Sequence, residues 1–191
     1  MKTKVDVRTV RTKNAIKKAL IDSLKTQDLL EISIKELAVK AKVDRKSIYN
    51  YYKSTYQILD DYTTDVVNMM VKEYNKIKDS LTPTIKEIYK FFNQIIADNE
   101  ELFKIFIKVR EYCDLSVRLR EHLVLGTKNF LLTINKKENT NVDVIAKFLA
   151  DGILGLYSSW LYSDQKEDIY KLADDMNSVL YEGINSLKIS N

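Results

Sequence analysis

The sequence predicts an all-α protein: an N-terminal three-helix bundle carrying a helix-turn-helix, followed by a larger helical C-terminal domain. Three observations lead there. Apolar residues recur at helical spacing along most of the 191 residues. One proline and four glycines leave little material for the turns of a β architecture. Positive charge gathers at the front, where residues 1–60 carry 14 Lys and Arg against 7 Asp and Glu, a net of +7. With +4 overall, the remaining 131 residues stand at −3. A basic head on a mildly acidic body concentrates its field where a polyanion would dock.

Residues 1–8 read as a basic arm. The first helix is predicted from Thr9 to Thr26, with Ile16, Ala19, Leu20, Ser23 and Leu24 on its buried face. Arg8 and Lys13 can reach phosphates or minor groove from there, or simply be solvated. Leu29 to Ile32 connects to the stretch that organises the chain, Ser33 to Leu59. Ser33 followed three residues later by Glu36 is a capping box. It opens a helix whose apolar residues, Ile34, Leu37, Ala38 and Ala41, lie on one side. Lys42-Val43 makes the turn, placing a non-glycine residue at a left-handed position at a cost of roughly 1 kcal/mol. Asp44 is expected to cap the next helix through the Ser47 N–H. That helix turns Ile48 and Tyr52 inward and leaves Arg45, Lys46, Tyr49 and Asn50 in front, the arrangement a helix-turn-helix sends into a major groove.

Ser54 caps a long helix to about Lys78, apolar at Ile58, Leu59, Tyr62, Val66, Met69, Met70, Tyr74 and Ile77. Thr82-Pro83 starts another, reaching Ala97, and Asp98-Asn99 interrupts before a short apolar helix over Glu100–Tyr112. Asp114 caps a helix from Leu115 to about Asn135, and residues 136–141 are a polar loop. Two apolar helices close the chain, Val142–Tyr162 and Glu167–Leu187. Gly152 and Gly155, each costing about 1 kcal/mol inside a helix, fit a place where another backbone approaches or a ligand needs room.

Other chemistries are absent from the pattern. One cysteine excludes an internal disulfide and a multi-cysteine zinc site. No phosphate-binding glycine loop or paired metal-ligand spacing occurs. His122, the one histidine, lies nine residues from Cys113, near opposite faces of a helix, and no third group orients them. Neither an enzyme nor a cofactor or metal is expected. With no signal peptide and no 18-residue uncharged apolar run, the expectation is a cytoplasmic protein with no membrane partner.

The run V-D-R-K-S-I-Y-N-Y-Y-K-S resembles the DNA-binding domain of TetR-type (TetR/AcrR family) transcriptional regulators. It matches at Leu37-Ala38, Ala41, Val43, Ile48-Tyr49, Tyr51-Tyr52 and Ser54, and departs at Lys42, where Gly is usual, and at Thr55, where Lys is usual. The resemblance implies a DNA-binding domain over 1–54 and a regulatory and dimerisation domain over 55–191, connected by the helix 55–78. It implies a homodimeric repressor on a pseudo-palindromic operator of double-stranded DNA, released by an effector in the C-terminal domain. Arg45, Lys46, Ser47, Tyr49, Asn50 and Tyr51 become DNA-binding candidates, with Ser33, Lys35, Ser54 and Thr55 on phosphates. The last two helices would pair with their symmetry mates through Phe148, Gly152, Leu156, Met176, Leu180 and Ile184. Tyr89, Phe92, Phe106, Cys113, His122, Tyr157 and Trp160 are candidates for an effector cavity. A small molecule or a protein co-regulator can play the effector. The chief rival is a helical adaptor whose body binds a protein, the head being auxiliary; salt dependence of duplex binding separates the two.

Overall fold

A period of 3.6 with few breakers gives helices, and helices are what form. The computed structural model describes residues 7–80, 85–134, 141–163 and 168–185. Among them the elements are α1 (Val7–Leu24), α2 (Ile34–Ala41), α3 (Arg45–Tyr49), α4 (Thr55–Ser80), α5 (Ile85–Asp98), α6 (Glu100–Lys108), α7 (Leu115–Ile134), α8 (Val142–Tyr162) and α9 (Ile169–Asn185), with no strand among the described residues. Pro83 and the loop over 136–140 lie outside them. So do the side chains of Tyr89, Leu180 and Ile184.

The chain forms two compact units: one holds it up to Val66 together with Ile105–Leu115, the other Val67–Lys104 with Ser116 onward. α4 runs unbroken from the first into the second. In the first unit Ile16, Leu20, Leu24, Leu29, Leu37, Ile48, Ile58 and Leu59 are at most 1% exposed, forming the closed core that fixes the head. Truncating one to Ala would cost about 2–5 kcal/mol. Segment 105–115 joins this core from far along the chain. Phe106 stacks on Tyr62 at 6.0 Å, Tyr112 meets Tyr56 edge-on at 5.8 Å, and Lys108 donates to the carbonyls of Leu24 (3.3 Å) and Gln27 (3.0 Å).

In the second unit α5 packs along α9. Asn93 of α5 is completely buried; it accepts from the Tyr157 hydroxyl of α8 and donates 3.3 Å to the Ile169 carbonyl of α9, so one amide ties three helices. α7 and α8 are pinned by a two-pronged Arg120–Asp151 pair (2.5 and 2.8 Å) and by Lys128–Asp143 at 2.6 Å. Leu131 of α7 and Ala146 of α8 are fully buried against each other beside the Lys128–Asp143 pair.

α8 is apolar on both sides. Ala146, Ala150, Ile153, Tyr157 and Leu161 face in, while Val144 (57%), Phe148 (74%) and Leu156 (43%) stand exposed. Gly152 and Gly155 share that exposed side, and a Cβ added to either meets nothing within 4 Å. By length and composition α8 could cross a membrane, yet Asp143 and Asp151 within it are salt-bridged to α7.

Candidate nucleic-acid interface

The head is built to present α3. Ser33 and Glu36 close the capping box: the Glu36 N–H donates to Ser33 Oγ at 3.2 Å, and Ser33 N–H donates to Glu36 Oε2 at 2.9 Å. The bonds from the Ser33 backbone and hydroxyl hold the Glu36 carboxyl below its ordinary value. Lys42 takes the left-handed conformation at φ 56, with its N–H and that of Val43 returned to α2 carbonyls. Asp44 corrects the sequence expectation. It occupies the N-cap with extended backbone, but its side chain makes no capping bond. α3 is also shorter than its pattern, ending at Tyr49; beyond it Asn50 and Tyr52 still donate to carbonyls four residues back, those of Lys46 and Ile48, while Tyr51 donates three back to the same Ile48 carbonyl.

What holds α3 in place is Ile48, fully buried, and Tyr52, 3% exposed. What it shows outward is Arg45, Lys46, Tyr49, Asn50 and Tyr51, all exposed, with Ser47 half-buried. Arg45 donates to the Tyr49 hydroxyl at 3.1 Å and lies 5.4 Å over its ring, so its guanidinium is preset along the helix. Ser33 and Lys35 are exposed at the start of α2, whereas Ser54 and Thr55 are half-buried at the start of α4. Ser54 accepts from the Gln57 N–H at 3.4 Å, as a cap should.

Behind α3 lies a charged hub that the sequence reading did not single out. Asp61 of α4 accepts from the Tyr52 hydroxyl at 2.5 Å and pairs with Lys13 at 2.8 Å and Lys17 at 2.9 Å. Lys17, 5% exposed, also reaches Asp65 at 2.5 Å. Burial raises the Asp61 carboxyl, but the bonds from Lys13, Tyr52 and Lys17 outweigh it and hold the group at about 2. Lys13 is thus drawn back onto the head instead of standing free at the helix start. A lysine at position 17 inside the apolar stripe of α1, and acids four apart on α4, were the available signals.

The effector candidates fall in both units. Phe106 (4% exposed) and the half-buried Cys113 belong to the first. Phe92 and Trp160, half-buried, Tyr157, 5% exposed, and His122 belong to the second. His122 is exposed, its Nδ1 2.8 Å from the Arg118 carbonyl one turn back. Burial pushes the Tyr157 phenol up, and its hydroxyl is spent on Asn93. Of the seam candidates, Phe148, Gly152 and Leu156 are exposed and Met176 is buried, 7% exposed.

A model of the family described as transcriptional regulator C-terminal region (TetR_C_8) matches residues 83–182, just over half of the chain. The uncharacterized HTH-type transcriptional regulator YxbF of Bacillus subtilis (strain 168) is 31% identical over 87 residues; the match covers 39% of this chain and 23% of that protein's length. Two solved structures have the same fold. The fatty acid degradation regulator FadR of Bacillus halodurans has a TM-score of 0.73 at 14% identity, covering 90% of this chain and 95% of that one. FadR of Thermus thermophilus, a TetR-family repressor in complex with lauroyl-CoA, has a TM-score of 0.64 at 15% identity, covering 94% and 96%.

Proposed function

Since this chain belongs to the TetR family of transcriptional regulators, we propose that it is a homodimeric repressor that binds a pseudo-palindromic operator and leaves it when an effector occupies the C-terminal unit. The observation that carries the reading is the exposed front of α3, set on the basic head by Ile48 and Tyr52. Asn50 offers an amide to an adenine edge, Lys46 can donate to guanine or phosphate, and the Arg45–Tyr49 pair reaches the backbone as a preset unit. Lys35, Ser33, Ser47, Tyr51, Ser54 and Thr55 supply the remaining phosphate contacts.

Dimerisation is supported by α8, whose exposed side joins Val144, Phe148 and Leu156 to two glycines. An apolar, small-residue helix face suits an isologous helix-to-helix seam, and a second copy brings the second α3 for the second half-site. The effector reading is supported by the aromatic content of the second unit and by the lauroyl-CoA bound to the Thermus thermophilus relative. Phe92, Tyr157 and Trp160 are the proposed apolar walls, with Asn93 beside Tyr157 as the polar element. Head spacing would change through α4, the helix shared by both units. As a regulator of transcription it would work in the cytoplasm, where its DNA is.

The test is duplex selection from a random-sequence pool by the purified protein, followed by titration of the selected duplex at several salt concentrations. A palindromic consensus with affinity falling steeply with salt is expected. Recovery of no preferred duplex would leave the helical adaptor as the better description.

A further inference from the structure

We propose that Tyr52 and Asp61 are positioning residues for DNA recognition, the phenol–carboxylate bond between them fixing the rotation of α3 against α1 and α4. The inference rests on the DNA-binding reading above and adds to it two residues that touch no DNA.

A helix of five residues cannot hold itself, so its attitude is set by what grips its ends. At its start the grip is the left-handed turn at Lys42. At its middle Ile48 is fully buried, which fixes depth but not rotation, since apolar contact has no direction. At its end the backbone N–H groups of Tyr51 and Tyr52 both donate to the Ile48 carbonyl at 2.9 Å. Tyr52 therefore moves with the turn that carries Tyr49, Asn50 and Tyr51. Its hydroxyl makes a directional bond of 2.5 Å to Asp61 Oδ2. Burial, and then that bond, push the phenol up, so it remains a donor through the physiological range.

Asp61 is itself held. Lys13 and Lys17 of α1 reach the same oxygen at 2.8 and 2.9 Å, and Lys17 donates a further 3.4 Å to the Asp61 carbonyl. The Lys13 ammonium also lies 5.4 Å above the Tyr52 ring. One carboxylate oxygen is thus the meeting point of α1, α4 and the end of the recognition helix. Tilting α3 by a few degrees displaces the tips of Asn50 and Lys46 by a fraction of an ångström or more. Base-edge hydrogen bonds tolerate that poorly and phosphate attraction tolerates it well. Loosening the bond should therefore erode selectivity before it erodes affinity for DNA in general.

Tyr52→Phe is the clean variant, because the ring keeps its packing and Asp61 keeps both lysines. Its affinity for the duplex selected by the wild type should fall tenfold or more. Affinity for a scrambled duplex of equal length and the salt slope should hold, and the melting temperature should fall by a few degrees at most, for the one hydrogen bond removed. A purely structural role would lower the active fraction on both duplexes alike and leave their ratio unchanged. Asp61→Ala, checked for folding by circular dichroism, should lose selectivity to the same degree, and adding it to Tyr52→Phe should cost no further selectivity. Tyr52→Phe with wild-type selectivity would overturn the proposal, as would losses that multiply in the double variant. Wild-type protein that prefers no duplex would remove the DNA-binding reading underneath, a failure separate from either.

Discussion

Asn50→Ala is the sharpest probe of the interface. Asn50 closes α3 through its backbone N–H to the Lys46 carbonyl at 3.1 Å; its side chain is exposed and makes no hydrogen bond to another described residue. Removing the amide should leave stability within about 0.5 kcal/mol, the usual range for such surface positions. On DNA the arithmetic differs. An amide bidentate to adenine is worth about 1–3 kcal/mol, and the proposed dimer would use it once in each half-site, about 2–6 kcal/mol in all. At about 1.4 kcal/mol per factor of ten, the selected duplex should bind roughly 30-fold to 20,000-fold more weakly. A scrambled duplex, held by phosphate contacts, should lose less than about twofold. Lys46→Ala supplies the contrast: if it meets phosphate, it should weaken both duplexes alike and lower the salt slope by about 1 per subunit. Fluorescence anisotropy with labelled duplexes at three salt concentrations reads all of this. Equal losses for Asn50→Ala on selected and scrambled duplex would refute the base-reading role.

Three further outcomes follow from the same geometry. Phe148→Asp alters a side chain 74% exposed in the single chain, so it should fold, yet sedimentation should fall from about twice 22.3 kDa to 22.3 kDa; an unchanged dimer would take this side of α8 out of the seam. Tyr157→Phe leaves the Asn93 side-chain oxygen buried without its donor, a cost of about 1–3 kcal/mol and a melting temperature lower by about 2–4 °C for each of those. A melting temperature equal to wild type would show the bond to be immaterial. Asp61, held at about 2 against an ordinary 3.8, contributes stability fully present above about pH 5 and lost progressively as pH falls through 2, about 2 kcal/mol in total. Denaturant titrations from pH 5 to 2 should show a flatter acid limb in Asp61→Asn, and identical limbs would contradict the assignment.

Local signals were legible in the sequence because the interactions behind them are local. The Ser33–Glu36 box, the left-handed Lys42 and the bounds of α8, Val142–Tyr162, follow from residues within one or two turns of each other. The inward Ile48 and Tyr52 follow from the same periodicity. Asp44 misled because a capping residue type guarantees only the backbone geometry, not the side-chain bond. The hub was hidden because Lys17 and its acids are 44 and 48 residues apart, and nothing in a one-dimensional pattern pairs them. The same distance concealed Asn93, 64 residues from Tyr157 and 76 from Ile169. It also concealed the grouping of 105–115 with the head, which assigns Phe106 a partner in Tyr62 that periodicity could not name.

The two-sided apolarity of α8 has a consequence for how much of this protein a cell can keep. A newly made chain that has not met a copy of itself carries Phe148, Val144 and Leu156 in water. Such a surface is what chaperones and proteases bind, and single chains would be cleared faster than pairs. In the proposed dimer, pairing would depend on the square of concentration, so output below the pairing threshold would be lost disproportionately, while output above it would be spared. Occupancy of the proposed operator would then respond to the rate of synthesis more steeply than in proportion, a nonlinearity that would arise from one helix face and need no second ligand.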